Sequence, residues 1–171
     1  MSRLVDFYRG QATDSEGRLL RDVWEWSDDE LEAVHDFIQW LFPLPEPSGY
    51  NPNAPLLTAE DVAAFRNDPL LQANLHRSFE RILTFLGLTL VDGTVREGPN
   101  FSARSADVWL APNHNWLRIT RILRSLRLLG LEADAGALFD RLTALRQSGR
   151  FPIRADTFRY WTAAVEGVVP S

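Results

Sequence analysis

Residues 113–130 read NHNWLRITRILRSLRLLG, and the spacing of their apolar side chains decides the fold. Ile119, Ile122, Leu123, Leu126 and Leu129 recur at helical intervals and form one arc, with Trp116 at its edge. Gly130 is a stop signal. Arg118, Arg121, Arg124 and Arg127 recur every three residues. At about 100° per residue they wind around the remaining half of the helix instead of stacking in a line. Leu117 and Leu128 interrupt that polar half, which predicts a helix covered on two sides and central to the domain. Its guanidinium groups then need partners. Carboxylates of the acidic stretch 28–36 could supply structural ion pairs, while an anionic ligand, a peptide carboxylate or nucleic acid are the alternatives.

Helix signals continue in both directions. Ser27 and Glu30 form a capping box that opens a predicted helix over 28–42, with Leu31, Val34, Ile38, Leu41 and Phe42 on one face. Pro43 ends it, and residues 43–57 form a proline-rich connection. Thr58 with Asp61 caps a short helix to about residue 66. Asp68-Pro69 opens another that runs to Gly87, burying Leu71, Leu75, Phe79, Ile82, Leu83 and Leu86. Residues 88–97, LTLVDGTVRE, are the one strand-like segment, and Asp92-Gly93 offers a tight hairpin turn. Segments 133–148 and 156–166 read as further helices, and 2–9 and 17–24 as weaker ones. The expectation is mainly α: a single compact helical domain over 1–171, of six to eight helices, with room for one short β-hairpin near 88–97.

Composition narrows the chemistry. At 171 residues and 45% hydrophobic, the chain can bury a core of roughly 70% of its unfolded surface. It has no cysteine, which removes thiol nucleophiles, disulfides and cysteine-ligated zinc. It has no lysine either, since all 18 basic residues are arginine; Schiff-base chemistry and a phosphate-loop lysine are excluded. The net charge of −5 argues against general nucleic-acid affinity. MSRLVDFYRG lacks the apolar core of a signal peptide, and no apolar run approaches the ~20 residues of a membrane span. A cytoplasmic protein is expected.

No catalytic or cofactor motif is recognisable. His35, His76 and His114 fall on different elements, and the adjacent acids Asp28/Asp29 and Glu60/Asp61 suit the opening turns of helices. No metal, cofactor or catalytic residue is therefore assigned. The candidates for ligand or partner contact are Gln39, Trp40, Asn100, Arg104, Asn115, Arg118 and Arg121. For Asn100 and Arg104 the competing role is bonding to loop carbonyls. On a continuous 28–42 helix Trp40 would lie about 180° from Leu31, away from the core. A lid is then expected: residues 44–56 fold over Trp40, with prolines and Tyr50 on the indole and Gln39 bonding loop backbone. The alternative is an open groove in which Trp40 grips a peptide.

Together, HDFIQWLFPLPEPS (35–48), Asn53-Ala54-Pro55-Leu56, FERILTFLGLTL (79–90), Asn100, Arg104 and NWLRITRILRSLRLLG (115–130) resemble the opioid growth factor receptor conserved domain. The resemblance is strongest over 7–130. It implies a helical domain without known catalytic activity, from a family described in animals as receptor for an enkephalin peptide at the nuclear envelope. It carries over no ligand-contact residues. The compact, all-arginine chain is expected to be a short bacterial-type member. The expected function is a non-catalytic peptide- or protein-binding module. The alternatives are an enzyme or anionic-ligand binder using Arg104, Arg118 and Arg121, or a weak nucleic-acid binder.

Overall fold

Tyr8 is fully buried, and its hydroxyl donates to the carbonyl of Leu41 (2.5 Å) and to Oγ of Ser78 (3.0 Å). In the computed structural model, which describes residues 2–169, that hydroxyl joins three helices. They are α1 (Arg3–Tyr8), α4 (Ile38–Leu41) and α6 (Pro69–Phe85). Ser78 also accepts from the indole nitrogen of Trp24 (2.9 Å), which ends α2 (Leu20–Trp24). The described chain is mainly helical. Its further elements are α3 (Asp28–Ala33), α5 (Ala59–Asn67), β1 (Leu88–Val91), β2 (Thr94–Glu97), α7 (Phe101–Val108), α8 (His114–Leu128), α9 (Glu132–Gln147) and α10 (Ala155–Glu166).

The chain divides into two compact units, one holding residues up to Ser78 with Leu128–Gly130, the other Phe79–Arg127 and the residues from Leu131 on. In the first, Ser27 and Glu30 exchange capping bonds at the start of α3, and Thr58 and Asp61 do the same for α5, as the sequence predicts. Phe65 packs edge-to-face on Tyr8 (5.1 Å). Asp68 is held below its ordinary carboxylate value, first because it accepts the Leu70 amide and further because Arg9 pairs with it.

In the second unit, β1 and β2 pair antiparallel from Leu88↔Glu97 to Val91↔Thr94. Asp92 (φ 49°) and Gly93 (φ 76°) both take the positive φ that a two-residue hairpin turn requires. The Arg141 Nε of α9 donates to the Val95 carbonyl (2.9 Å), and Arg150 forks onto both oxygens of Glu97 (3.0 Å each). Those bonds hold Glu97 below the ordinary carboxylate value. The indole of Trp161 in α10 donates to the Trp116 carbonyl of α8 (3.1 Å), and the two rings meet edge-to-face.

Ten helices are described where six to eight are expected, and two segments account for the difference. The predicted 28–42 helix is broken: Val34 is extended, and the chain turns through His35 and Asp36 before α4. At the break Arg18 donates to Oδ1 of Asp36 (2.8 Å) and to its carbonyl (3.4 Å), and Phe37 packs on Trp26 (5.5 Å). The stretch 98–110, to which the sequence assigns no helix, contains α7. In α8 the expectation for the polar half is partly reversed. Leu117 is 59% exposed, whereas Arg118 is buried at 7%.

The buried Tyr8 phenol makes a prediction with a definite sign. Burial, only partly offset by the bond to Ser78, pushes its pKa well up. Below about pH 10 both folded and unfolded states keep the proton, and the contribution is whole. Above it the unfolded chain releases a proton that folded Tyr8 retains, so stability falls as pH rises. Urea melts from pH 8 to 11 should show that decline in the wild type and a shallower one in Tyr8→Phe. The variant should also lose about 1–3 kcal/mol at neutral pH. Parallel alkaline slopes would contradict the assignment.

Candidate functional site

The last carbonyls of any α-helix lack partners within it. At the end of α6, three consecutive ones are met by side chains. Asn100 donates to the Thr84 carbonyl (2.9 Å), Nε of Arg104 to Phe85 (2.7 Å), and the Trp109 indole to Leu86 (2.9 Å). Asn100 and Arg104 thus bond carbonyls, as one reading of the sequence had it, but those of a helix end. The approach is close because residue 87 is glycine. At φ 80° it carries the turn, and a Cβ there would stand 3.0 Å from Arg104 Cβ and from Phe101 Cα.

Arg104 and Arg118 gather around one ring. Their guanidinium carbons lie 4.7 and 6.0 Å from the centroid of Phe85, itself fully buried. Arg104 also donates to Asp107 (3.1 Å), and Arg118 to Oδ1 of the buried Asn115 (3.3 Å). Asn115 is fixed in turn by its amide, which donates to the Asn113 side chain (2.9 Å). Arg104, Asn115 and Arg118 are therefore one cluster. Arg121 is half-buried on the next turn of α8.

Gln39 and Trp40 belong to the first unit, and the expected geometry around them needs correction. Because the helix breaks before α4, the 180° offset of Trp40 from Leu31 does not exist. Trp40 is 4% exposed and packs edge-to-face on Phe7 of α1 (5.3 Å). A residue so buried cannot grip a peptide from an open groove. Its indole N–H meets no acceptor among the described residues. The stacking expected of Tyr50 is also overturned, since Tyr50 is 82% exposed.

The loop itself is closely organised. Leu44 and Leu56 pair as an isolated parallel bridge, and the Leu57 amide donates to the Leu44 carbonyl (3.0 Å). Ser48 Oγ accepts the amides of Tyr50 and Asn51 (3.2 Å each), and the Ala54 amide closes a turn on the Asn51 carbonyl (3.1 Å). The buried Asn51 donates to Gln39 Oε1 (3.4 Å), so Gln39 bonds a loop side chain and not loop backbone. Sequence reasoning missed Ser48 and Asn51. The signal was present, because serine, asparagine and proline at 48, 51 and 52 are turn-forming residues in close succession.

The chain matches, over residues 5–167, the family described as the opioid growth factor receptor (OGFr) conserved region. It is 42% identical over 135 residues to the opioid growth factor receptor of Mus musculus, covering 75% of this chain and 21% of that protein. With the Homo sapiens receptor it shares 42% over 136 residues, 75% of this chain and 20% of that one. It is 37% identical over 112 residues to opioid growth factor receptor-like protein 1 of Mus musculus, covering 64% of this chain and 24% of that protein. The chain thus spans only about a fifth to a quarter of the curated relatives it matches. No solved structure matches it.

Two substitutions check this geometry. Trp109→Phe removes the donor to the Leu86 carbonyl inside a buried site and should cost about 1–3 kcal/mol in denaturant melts. Asn51→Ala should leave the melting transition nearly in place but speed proteolysis within 44–57, because the loop loses its tie to Gln39. Unchanged cleavage would contradict an anchoring role for Asn51.

Proposed function

The chain belongs to the opioid growth factor receptor conserved-region family, and from that premise we propose that it is a non-catalytic helical module that binds a peptide or protein partner. The observation that carries this reading is the anchored loop 44–57. Neighbouring residues in it have opposite fates: Asn51 is buried and bonded to Gln39, while Tyr50 projects into solvent. A loop held in one shape loses little entropy on binding, and tyrosine is favoured at contact sites for its rigid amphipathic area. The curated relatives are receptors by name, which supports a peptide or protein as the partner. In this reading Gln39 and Trp40 act from beneath, as the support of the loop.

No helix among the described residues is long and apolar enough to cross a membrane. A cytoplasmic, bacterial-type protein folding as one domain over 1–171 is part of the same proposal. A second reading, an anionic ligand, is favoured by the approach of Arg104 and Arg118 to the single ring of Phe85. Bonding of Arg104 to Phe85 and Asp107 weighs toward scaffold instead. An upward shift of the melting temperature with added phosphate, abolished by Arg118→Gln, would revive the ligand.

Tyr50→Ala and Leu56→Ala separate binding from folding. Both side chains are at least half exposed, so each variant should melt within about 0.5 kcal/mol of wild type. Affinity capture from cells of the source organism should lose its specific partner by about tenfold or more with Tyr50→Ala. Equal recovery by wild type and both variants would count against the loop as the contact.

A further inference from the structure

Nothing in the local sequence stops α3 where it ends. Its capping box is complete at Ser27 and Glu30, and neither glycine nor proline occurs from Asp28 to Phe42. Leu31, Val34, Ile38, Leu41 and Phe42 keep helical spacing throughout. Yet Val34 is extended (φ −91°, ψ 129°), and helix resumes only at Ile38. Local preference and tertiary structure disagree over 34–37, and such disagreements concentrate at functional sites.

Two sets of interactions compete there. A continuous helix would add backbone bonds across the break, but it would carry Phe37 and Trp40 about 120° and 180° around from Leu31. Both are buried in the broken form, and the Tyr8 bond to the Leu41 carbonyl belongs to the same side. A few backbone bonds and the burial of two aromatic side chains are terms of the same order, so smaller contacts decide between the forms. The contact at the break is a clasp with one buried end and one exposed end. Arg18 Nε donates to Oδ2 of Asp14 (2.7 Å), a fully buried carboxylate whose Oδ1 accepts the amides of Glu16 and Arg18 (2.9 and 3.0 Å). The other end is Asp36, whose side chain is 43% exposed. The guanidinium carbon also lies 5.3 Å from the ring centre of Trp26, on which Phe37 packs.

We propose that residues 34–37 are a two-state joint held broken by the Arg18 clasp, and that release at Asp36 runs α3 into α4, turns Trp40 out of the core and loosens the 44–57 loop. The link to the loop is short. Gln39 of α4 accepts the Asn51 side chain, and Leu44, which bridges to Leu56, follows α4 by three residues. The joint acts on the shape of the loop and does not depend on the loop having a partner.

NMR of the full chain tests this through the Cα shifts of residues 34–37. Asp36→Ala removes the exposed end of the clasp and places the best helix former in the break, while Arg18 keeps Asp14. The Val34 shift should move at least halfway from its extended toward its helical value, and proteolysis within 44–57 should quicken several-fold. Adding His35→Pro forbids the continuous helix yet suits the broken one, because Val34 before it is already extended. That double variant should return both readings to wild type. Should Asp36→Ala fail to fold, Asp36→Asn keeps the side-chain shape and should move the Val34 shift the same way by a smaller step. A Val34 shift that stays extended in the folded variant would overturn the joint. Proteolysis that stays fast in the His35→Pro double variant would overturn its coupling to the loop.

Discussion

A helix must do something with its last carbonyls, and a fold of short helices meets that demand many times over. In this protein the answer is a set of side-chain donors reaching from other elements. Tyr8 serves Leu41 at the end of α4, and Asn74 serves the Tyr8 carbonyl at the end of α1. Arg66 and Gln72 serve Leu128 and Leu129 at the end of α8. Asn100, Arg104 and Trp109 serve the end of α6, and Trp116 with Asn113 serves Val108 at the end of α7. A carbonyl left bare in such places costs about 1–3 kcal/mol, a large share of a domain's net stability.

This constraint explains why the polar residues drew attention in the sequence. Asparagine, arginine and tryptophan set among apolar residues resemble a ligand site, and so does any capping group when the helix it caps is far away in the chain. Asn100 and Arg104 act across about 16 to 19 residues. Gln72 reaches a carbonyl 57 residues on. Local patterning carries no trace of such pairings. Apolar periodicity together with local start, stop and turn signals, by contrast, placed α5, α6, α8, α9, α10 and the hairpin within a few residues. It failed at 34–37, where Arg18 captures Asp36. The break brings Phe37 and Trp40 into the interior beside Ile38 and Leu41, a rearrangement that local periodicity cannot register.

The candidate site was legible in the same uneven way. Burial of Trp40 and a bond from Gln39 to the proline-rich loop are both expected and found, but the partners differ. Trp40 is part of the packed interior with Phe7, and Gln39 is an anchor point for Asn51. The exposed group is Tyr50, expected underneath and found on top. That outcome depends on the turn made by Ser48 and Asn51, a matter of three hydrogen bonds that hydrophobicity does not encode. The buried arginines, asparagines and tryptophans bond within the fold, and the proposed function attaches to the loop.

The capping role of Arg104 is the most exposed point of this division, and denaturant unfolding of Arg104→Met tests it directly. Methionine keeps much of the apolar stem and removes every donor. If Arg104 holds the end of α6, the variant loses about 1–3 kcal/mol while partner capture, scored at folding-permissive temperature, is retained. Wild-type stability with capture abolished would show instead that the guanidinium serves a ligand.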